Sequence, residues 1–305
     1  PDLDGIEVPR PDIEPFADRV IAAEPGLILV DQAHSNRFDL AELSLLQARL
    51  AARGQRLEPV KTGDVDWTKR LKRAKGLIVI SPGEGWTESE IQQAVDFVGK
   101  GGRLLLITDP TRYDILFDEF GGFAGYDHDV NHINNLASRF GLVFQADYLY
   151  NTTDNEGNFR NIRLTNLADV PLTSGLKQVV FYATHSILSD APPLIATGGD
   201  TRSSSSERLE NLAVATLTAN GQILALGDLS FMVEPHNVAY DNDQFVANIA
   251  DFLSGAQRRY DLGDFPLFFS DHVDLVFAGD PLLDSDLLIS GSVLQGLFAS
   301  EGKEL

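Results

Sequence analysis

Short apolar runs and amphipathic stretches alternate along residues 26–108. The runs, each of a length suited to a buried strand, are Gly26–Val30, Arg56–Val60, Leu77–Ile80 and Arg103–Thr108. The stretches between them carry apolar residues at helical spacing, most clearly in Leu40–Arg53. Strands that alternate with helices need crossover connections, which produce a mainly parallel sheet covered on both faces. The pattern therefore predicts an α/β fold.

Capping residues mark where two of these helices begin. Asp39 is followed three residues later by Glu42, and Thr87 is followed in the same way by Glu90. Both pairs have the spacing of a capping box, in which the two side chains satisfy backbone amides of the first helical turn. We therefore expect one helix to begin after each of these polar positions.

The pattern becomes less regular after residue 109. Helices are predicted over Asn131–Phe140 and Asn242–Leu253, and short alternating segments lie between them. The Asn220-Gly221 pair predicts a hairpin between Asn211–Thr218 and Gln222–Leu226. These segments indicate an antiparallel extension of the sheet or a small β subregion.

Three regions follow from this organisation. Residues 1–25 are acidic and rich in proline, and they predict an irregular lead-in. Residues 26–256 form the α/β domain. Residues 257–305 form a C-terminal extension, and we expect its Leu-rich amphipathic stretch, Leu282–Phe298, to pack on the domain or on a partner.

Composition and charge exclude several classes of function. The chain has 305 residues, 43% of them hydrophobic, with a formal net charge of −21, so it is globular and too acidic to favour nucleic acids or anionic lipids. It contains no cysteine, which excludes disulfides, thiolate metal sites and a cysteine nucleophile. Its apolar runs are far shorter than the roughly 20 residues of a membrane-spanning helix, so we expect no direct membrane insertion. Because it begins with Pro1, we expect that an anchor has been removed.

Polar residues follow the predicted strands and provide a candidate binding site. Ligands of open parallel sheets bind outside the carboxyl ends of the strands. Carboxylate, amide and guanidinium groups there would suit a sugar-like ligand, and an indole could stack on its apolar face. Aspartates at strand ends also close turns or cap helices, which is the alternative role for the three aspartates of this set. The candidate ligand-binding residues are Asp31, His34, Asn36, Glu84, Trp86, Asp109, Arg112, Asp228 and Ser230.

Catalytic and cofactor motifs are not evident in the sequence. Ser81 lacks the Gly-x-Ser-x-Gly pattern of a nucleophile elbow, and Pro82 is expected to hold it in extended geometry. His128 and His132 have the spacing of a metal-binding helix but lack its glutamate. The Gly-rich nucleotide-binding patterns are absent as well. We therefore predict no catalytic residue, no metal and no cofactor.

A hydrolase or lyase acting on a glycan or polyol remains an alternative. In that hypothesis His34 would act as the acid, and Asp31, Asp109 or Asp228 as the base. The acid and the base would then have to converge within hydrogen-bond reach of one ligand atom.

The order of several short motifs resembles a known group of domains. The motifs are Asp31-x-x-His34-x-Asn36-x-Phe38, Gly101-Gly102-x-Leu104-Leu105-Leu106-x-Thr108-Asp109, Asn134-x-Leu136-x-x-x-Phe140-Gly141-Leu142-x-Phe144 and Gly227-Asp228-x-Ser230-Phe231-Met232, followed by Asn242-x-x-Phe245-x-x-Asn248. Over residues 26–255 the chain resembles the glutamine-amidotransferase-like domain that lacks the nucleophile. Such domains occur in bacterial proteins of unknown function, in auxiliary components of gliding-motility ABC transporters and in an intraflagellar-transport subunit.

The resemblance implies a fold and a role. The fold would be a flavodoxin-like three-layer sandwich of the class I glutamine-amidotransferase type. The role would be non-catalytic binding or scaffolding, with a carbohydrate or a membrane transport component as partner. It also implies a membrane-anchored domain outside the cytoplasm. A structural subunit that docks through the C-terminal extension is the remaining alternative.

Overall fold

The apolar runs of the first half form neighbouring parallel strands of one ten-stranded sheet. In a computed structural model of the chain, the parallel strands are β1 (Gly26–Gln32), β2 (Gln55–Lys61), β3 (Ala74–Ile80), β4 (Arg103–Ile107) and β16 (Ile223–Leu226). They lie in the order β2-β1-β3-β4-β16, and each neighbouring pair is parallel. Ile80, Ile107 and Leu226 lie side by side in register, so the carboxyl ends of three strands share one edge of the sheet.

The other half of the sheet is antiparallel. β15 (Ala213–Leu217) pairs with β16 across a turn in which Gly221 has a φ of 67°, a left-handed conformation that suits glycine. The predicted hairpin and the antiparallel extension of a parallel sheet are confirmed. The other strands of this half are β7 (Leu142–Phe144), β10 (Asn166–Leu167), β12 (Ile187–Ser189) and β13 (Pro193–Ala196).

Helices cover both faces of the sheet because strand side chains alternate between them. Ile28 and Val30 point into one apolar core, while Leu29 between them points into the other. The first core packs on α1 (Ser44–Ala52) and α5 (Asn242–Ser254). The second core packs on α2 (Trp67–Arg73), α3 (Glu88–Gly99) and α4 (Val130–Ala137).

Both predicted capping boxes are present. The Thr87–Glu90 pair begins α3 as expected. The Asp39–Glu42 pair instead caps a 3₁₀ turn, Leu40–Leu43, and α1 follows it directly. The predicted helix over Leu40–Arg53 therefore has a tighter first turn than its apolar spacing indicates.

Within the described residues, three two-stranded sheets lie outside the main sheet. One of them, between residues 113 and 128, was not predicted. The pairs are β5 (Tyr113–Phe117) with β6 (Phe123–His128), β8 (Leu149–Tyr150) with β14 (Arg202–Ser203), and β9 (Asn161–Leu164) with β11 (Val179–Tyr182).

The chain divides into two compact units, residues 1–259 and 260–305. In the second unit, α6 (Ser285–Ser300) carries apolar residues on all sides, so the expected amphipathic pattern of that stretch is wrong. Among the described helices, none has both the length and the hydrophobicity to cross a membrane. The structure describes residues 16–20, 23–63, 66–206, 211–260, 272, 274–276, 279, 284–300 and 304–305; most of the lead-in lies outside these ranges.

Candidate functional site

The sheet separates the predicted site residues into two groups. Asp31 lies two positions after Leu29, on the face covered by α2 and α3. Asp109 and Asp228 lie two positions after Ile107 and Leu226, on the face covered by α1 and α5. Three strand spacings of about 4.8 Å also separate β1 from β16, roughly 14 Å in all. The single rim expected from the strand ends is therefore divided between two faces.

The first group is a set of mutually bonded side chains around Asp31. The Asp31 carboxylate is fully buried and accepts hydrogen bonds from the Ala33 amide at 2.9 Å and from Nδ1 of His34 at 2.9 Å. Asn36 adds a longer bond of 3.3 Å to the same carboxylate. Asp31 thus closes the turn after β1, which is the structural role of an aspartate at a strand end.

Trp86 lies inside the second core and not on the surface. Its ring stacks on His34 with centroids 4.6 Å apart and on Trp67 with centroids 4.9 Å apart. Only 3% of Trp86 is exposed. The expectation that Trp86 stacks on a ligand is therefore corrected, since protein rings already cover its faces.

The environment of His34 favours its charged form. Burial alone would lower the pKa of this imidazole, but the hydrogen bond to Asp31 and the nearby charge of Glu90 together raise the pKa above its ordinary value. Nε2 of His34 lies 3.6 Å from the Glu90 carboxylate. Such a positive charge stabilises the fold below the ordinary pKa of histidine, and the stabilisation is lost as the pH rises through the raised pKa. His34 therefore holds the Asp31 turn to α3.

The crevice between β1 and β3 is closed by the chain itself. Strand order reverses at this point, and doubly wound sheets bind their ligands there. Two loops, 33–37 after β1 and 81–85 after β3, are instead joined by direct hydrogen bonds. Three of these bonds join backbone atoms: the Arg37 amide donates to Ser81 O, and the amides of Gly83 and Glu84 both donate to His34 O. Two come from side chains: Asn36 Nδ2 donates to Ile80 O, and Ser35 Oγ donates to Glu84 Oε1. All five are between 2.8 and 3.1 Å long.

The close approach of the two loops depends on Gly83. A Cβ at this position would lie 2.7 Å from the Ser35 carbonyl oxygen, a backbone atom that cannot rotate away. We expect Gly83→Ala to lower the free energy of unfolding by about 1–2 kcal/mol because the loops must separate. Gly198→Ala is the matched control, since an added Cβ there meets no atom within 4 Å. Urea unfolding of both variants measures the difference, and equal stabilities would contradict a closed crevice.

The second group is a pair of buried carboxylates. Asp228 accepts from the Tyr182 amide at 2.6 Å and from the Ser230 amide at 2.7 Å. Asp109 accepts from the Ser230 hydroxyl at 2.9 Å and from the Thr111 amide at 2.9 Å. Burial and then the adjacent Asp109 raise the pKa of Asp228 well above its ordinary value. The two aspartates thus hold the loops after β4 and β16 together and share a site that disfavours two negative charges.

Arg112 lies at a shallow depression of about 770 Å³ at the edge of the sheet. Its guanidinium pairs with Glu42, and this partner together with the nearby Asp109 raises the pKa of Arg112 against the effect of burial. Arg37 and Lys61 line the same depression. Arg112 is the one member of the nine predicted residues that lines it. The concavity at this edge is therefore displaced from the predicted site.

Ser81 belongs to a buried polar network that the sequence analysis did not identify. Its φ of 38° is left-handed, so the expected extended geometry is wrong: the chain turns sharply here while the Ser81 amide bonds Ile107 O. The Ser81 hydroxyl donates to Asp129 at 2.7 Å. Nε2 of His185 lies 3.4 Å from the other oxygen of Asp129, and both residues are buried. These residues are far apart in the sequence, so no local motif indicates the network.

The network does not have the geometry of a serine hydrolase. In a Ser–His–Asp triad the hydroxyl donates to an imidazole, whereas the Ser81 hydroxyl donates to a carboxylate. Of the alternative acid–base pairs, His34 with Asp31 does form, at 2.9 Å, but both side chains are buried and their bond closes the turn after β1. Asp109 and Asp228 lie on the opposite face of the sheet from His34. Among the described residues, no cluster of three or more potential metal ligands occurs.

Comparisons with known proteins identify similar structures and one family. The "mmIFT52 N-terminal domain" is similar to this chain with a TM-score of 0.57 and 14% identity, over 74% of this chain and 97% of that one. A ThuA-like protein from Bacteroides uniformis ATCC 8492 has a TM-score of 0.46 and 13% identity, over 77% and 93% of the two chains. The first likeness shows a shared fold, and no curated protein matches. The sequence model of one family matches residues 5–250, and the chain therefore belongs to the family described as "Domain of unknown function (DUF4350)".

Proposed function

We propose that the chain is a non-catalytic binding or scaffolding domain on a flavodoxin-like framework. The observation that carries this proposal is the closed crevice between the loops 33–37 and 81–85. Where related sheets place a ligand, this chain places its own hydrogen bonds. A domain built in this way acts through its outer surface.

The buried aspartates support the same conclusion. A general base must reach the proton that it removes, directly or through one water. Asp31, Asp109 and Asp228 are each fully buried, and each accepts hydrogen bonds from its own loops. Their positions suit the fixing of loops better than proton transfer to a bound substrate.

Carbohydrate recognition and an auxiliary part in membrane transport are narrower forms of this function. A sugar-like ligand could occupy the depression at Arg112, where Lys61 supplies a further donor. A transport component would instead contact an exposed face of the domain. A membrane-anchored position outside the cytoplasm is compatible with either form.

Labelling with a serine-directed fluorophosphonate tests the absence of catalysis. We expect the native protein to show no labelling at Ser81, because that hydroxyl is buried and bonded to Asp129. The Ser81→Ala variant is the direct comparison, and Ser35→Ala, in the adjacent loop, is the control. Mass spectrometry of the labelled peptides gives the readout. Labelling that disappears only in Ser81→Ala would refute the proposed function.

A further inference from the structure

The hairpin β5–β6 has one aromatic face. Directly opposed residues of an antiparallel pair point to the same side. Tyr113 opposes His128, Ile115 opposes Tyr126, and Phe117 opposes Phe123, so all six side chains share that side. The ring centroids of Tyr113 and Tyr126 are 5.0 Å apart, and those of Tyr126 and Phe123 are 5.1 Å apart. The rings thus form a continuous row along the hairpin.

This aromatic face is exposed to solvent. The exposed fractions of its tyrosines and phenylalanines, and of Phe120 at the tip, lie between 43% for Tyr113 and 89% for Phe120. With about 200 Å² for a whole aromatic side chain, these fractions amount to roughly 600 Å² of exposed ring surface. Monomers seldom expose larger apolar patches, and a partner in a standard interface buries about 800 Å². The area is therefore close to that of one side of an interface.

Two carboxylates on the opposite side of the hairpin tie it to the domain, although Leu116 on that side is 46% exposed. Asp114 and Asp127 point to that side, and the guanidinium of Arg37 pairs with both. Nη1 of Arg37 also donates to the Asp127 carbonyl at 2.8 Å. Against the effect of burial, the hydrogen bonds from His132 and Arg37 lower the pKa of Asp127 to about 2. This pairing fixes the hairpin to the domain and leaves the aromatic face exposed.

We propose that the aromatic face of this hairpin docks a protein partner whose apolar surface is bordered by lysine and arginine. Asp118 and Glu119 lie in the turn of the hairpin beside Phe117 and Phe120, residues 113–128 contain neither lysine nor arginine, and the chain has a net charge of −21. A basic border complements that charge, whereas a second copy of the chain and an anionic lipid surface are both repelled. Exposed tyrosine and phenylalanine are the residue types enriched in protein interfaces. The proposal rests on the proposed binding function and names the surface and the partner's chemistry.

A displayed library of random peptides, selected on the native protein, tests this surface. The key variant combines Phe117→Ser, Phe120→Ser and Phe123→Ser, three exposed positions whose change leaves both cores intact. Leu188→Ser, at an exposed apolar residue of β12, is the matched control. We expect the selected peptides to combine apolar residues with lysine or arginine and to bind the triple variant roughly tenfold more weakly or worse. Binding to the control should be unchanged, and salt should weaken the native complex.

Other results would overturn the proposal. Peptides that bind the triple variant as well as the native protein, or that lack basic residues, exclude this partner. A native dimer that the triple variant abolishes in sedimentation would assign the face to a second copy. Hairpin-dependent binding to phosphatidylcholine vesicles would assign it to a membrane. None of these results depends on the fluorophosphonate experiment, so the docking surface and the proposed function can fail separately.

Discussion

Replacing Trp86 by alanine should lower the free energy of unfolding by about 3–5 kcal/mol. The indole is 3% exposed and lies between the rings of His34 and Trp67. Its removal leaves a cavity that the rigid sheet below cannot fill, and both stacking contacts are lost. Equilibrium urea unfolding followed by circular dichroism measures the loss.

Phe120→Ala is the control for the Trp86 substitution. It also removes an aromatic ring, but from a side chain that is 89% exposed, so the free energy of unfolding should change by no more than about 0.5 kcal/mol. If Trp86→Ala instead kept its stability and lost affinity for a sugar, the indole would belong to a ligand surface. The sequence alone favours that second outcome, so the experiment decides between the two roles.

The local features of the fold could be predicted from the sequence because short-range physics determines them. Helical spacing, the Thr87–Glu90 capping box and the Asn220-Gly221 turn each depend on a few neighbouring residues. The alternation of these elements then limits the sheet to a parallel half with an antiparallel extension. Short-range signals of this kind are independent of how the loops pack.

The arrangement of the site could not be predicted in the same way. The rule that places a site at the strand ends does not say on which face of the sheet each residue lies. Asp31 lies two positions after Leu29 and Asp109 two positions after Ile107, and these two apolar residues point into different cores. The closure of the crevice depends on contacts such as that between Gly83 and His34, which are 49 positions apart. Contacts of this range leave no periodic signal in the sequence.

The exposed hairpin was missed for a different reason. Its strands alternate as strands should, with Tyr113, Ile115 and Phe117 on one side. Apolar positions normally indicate the buried face, but here the aromatic side meets solvent, while Arg37 pairs with Asp114 and Asp127 on the other side. An apolar face turned outward is a departure from the usual pattern, and such departures are expected at functional surfaces.

Asp109→Asn should stabilise the protein near neutral pH by about 1.5–3 kcal/mol, the contribution of a hydrogen bond to a charged group. In the native pair, burial and the neighbouring Asp109 raise the pKa of Asp228. The folded state therefore holds more protons than the unfolded state between the ordinary pKa of aspartate and the raised value, and stability falls as the pH rises through that window. An amide at position 109 removes the repulsion: its oxygen keeps the bond from the Thr111 amide, and its nitrogen replaces the oxygen near Asp228 and Ser230, whose hydroxyl then turns to accept instead of donate.

The stability difference between Asp109→Asn and the native protein should consequently grow with pH. Near the ordinary pKa of aspartate both proteins carry a protonated Asp228 and differ little, because neither then contains a pair of like charges. Asp190→Asn removes one exposed negative charge and serves as the control for the change in net charge. Urea unfolding of the three proteins across the acid-to-neutral range measures the effect. If the difference in free energy of unfolding between Asp109→Asn and the native protein were the same at every pH, the two buried aspartates would ionise independently. Their contact would then hold the loops after β4 and β16 only through hydrogen bonds.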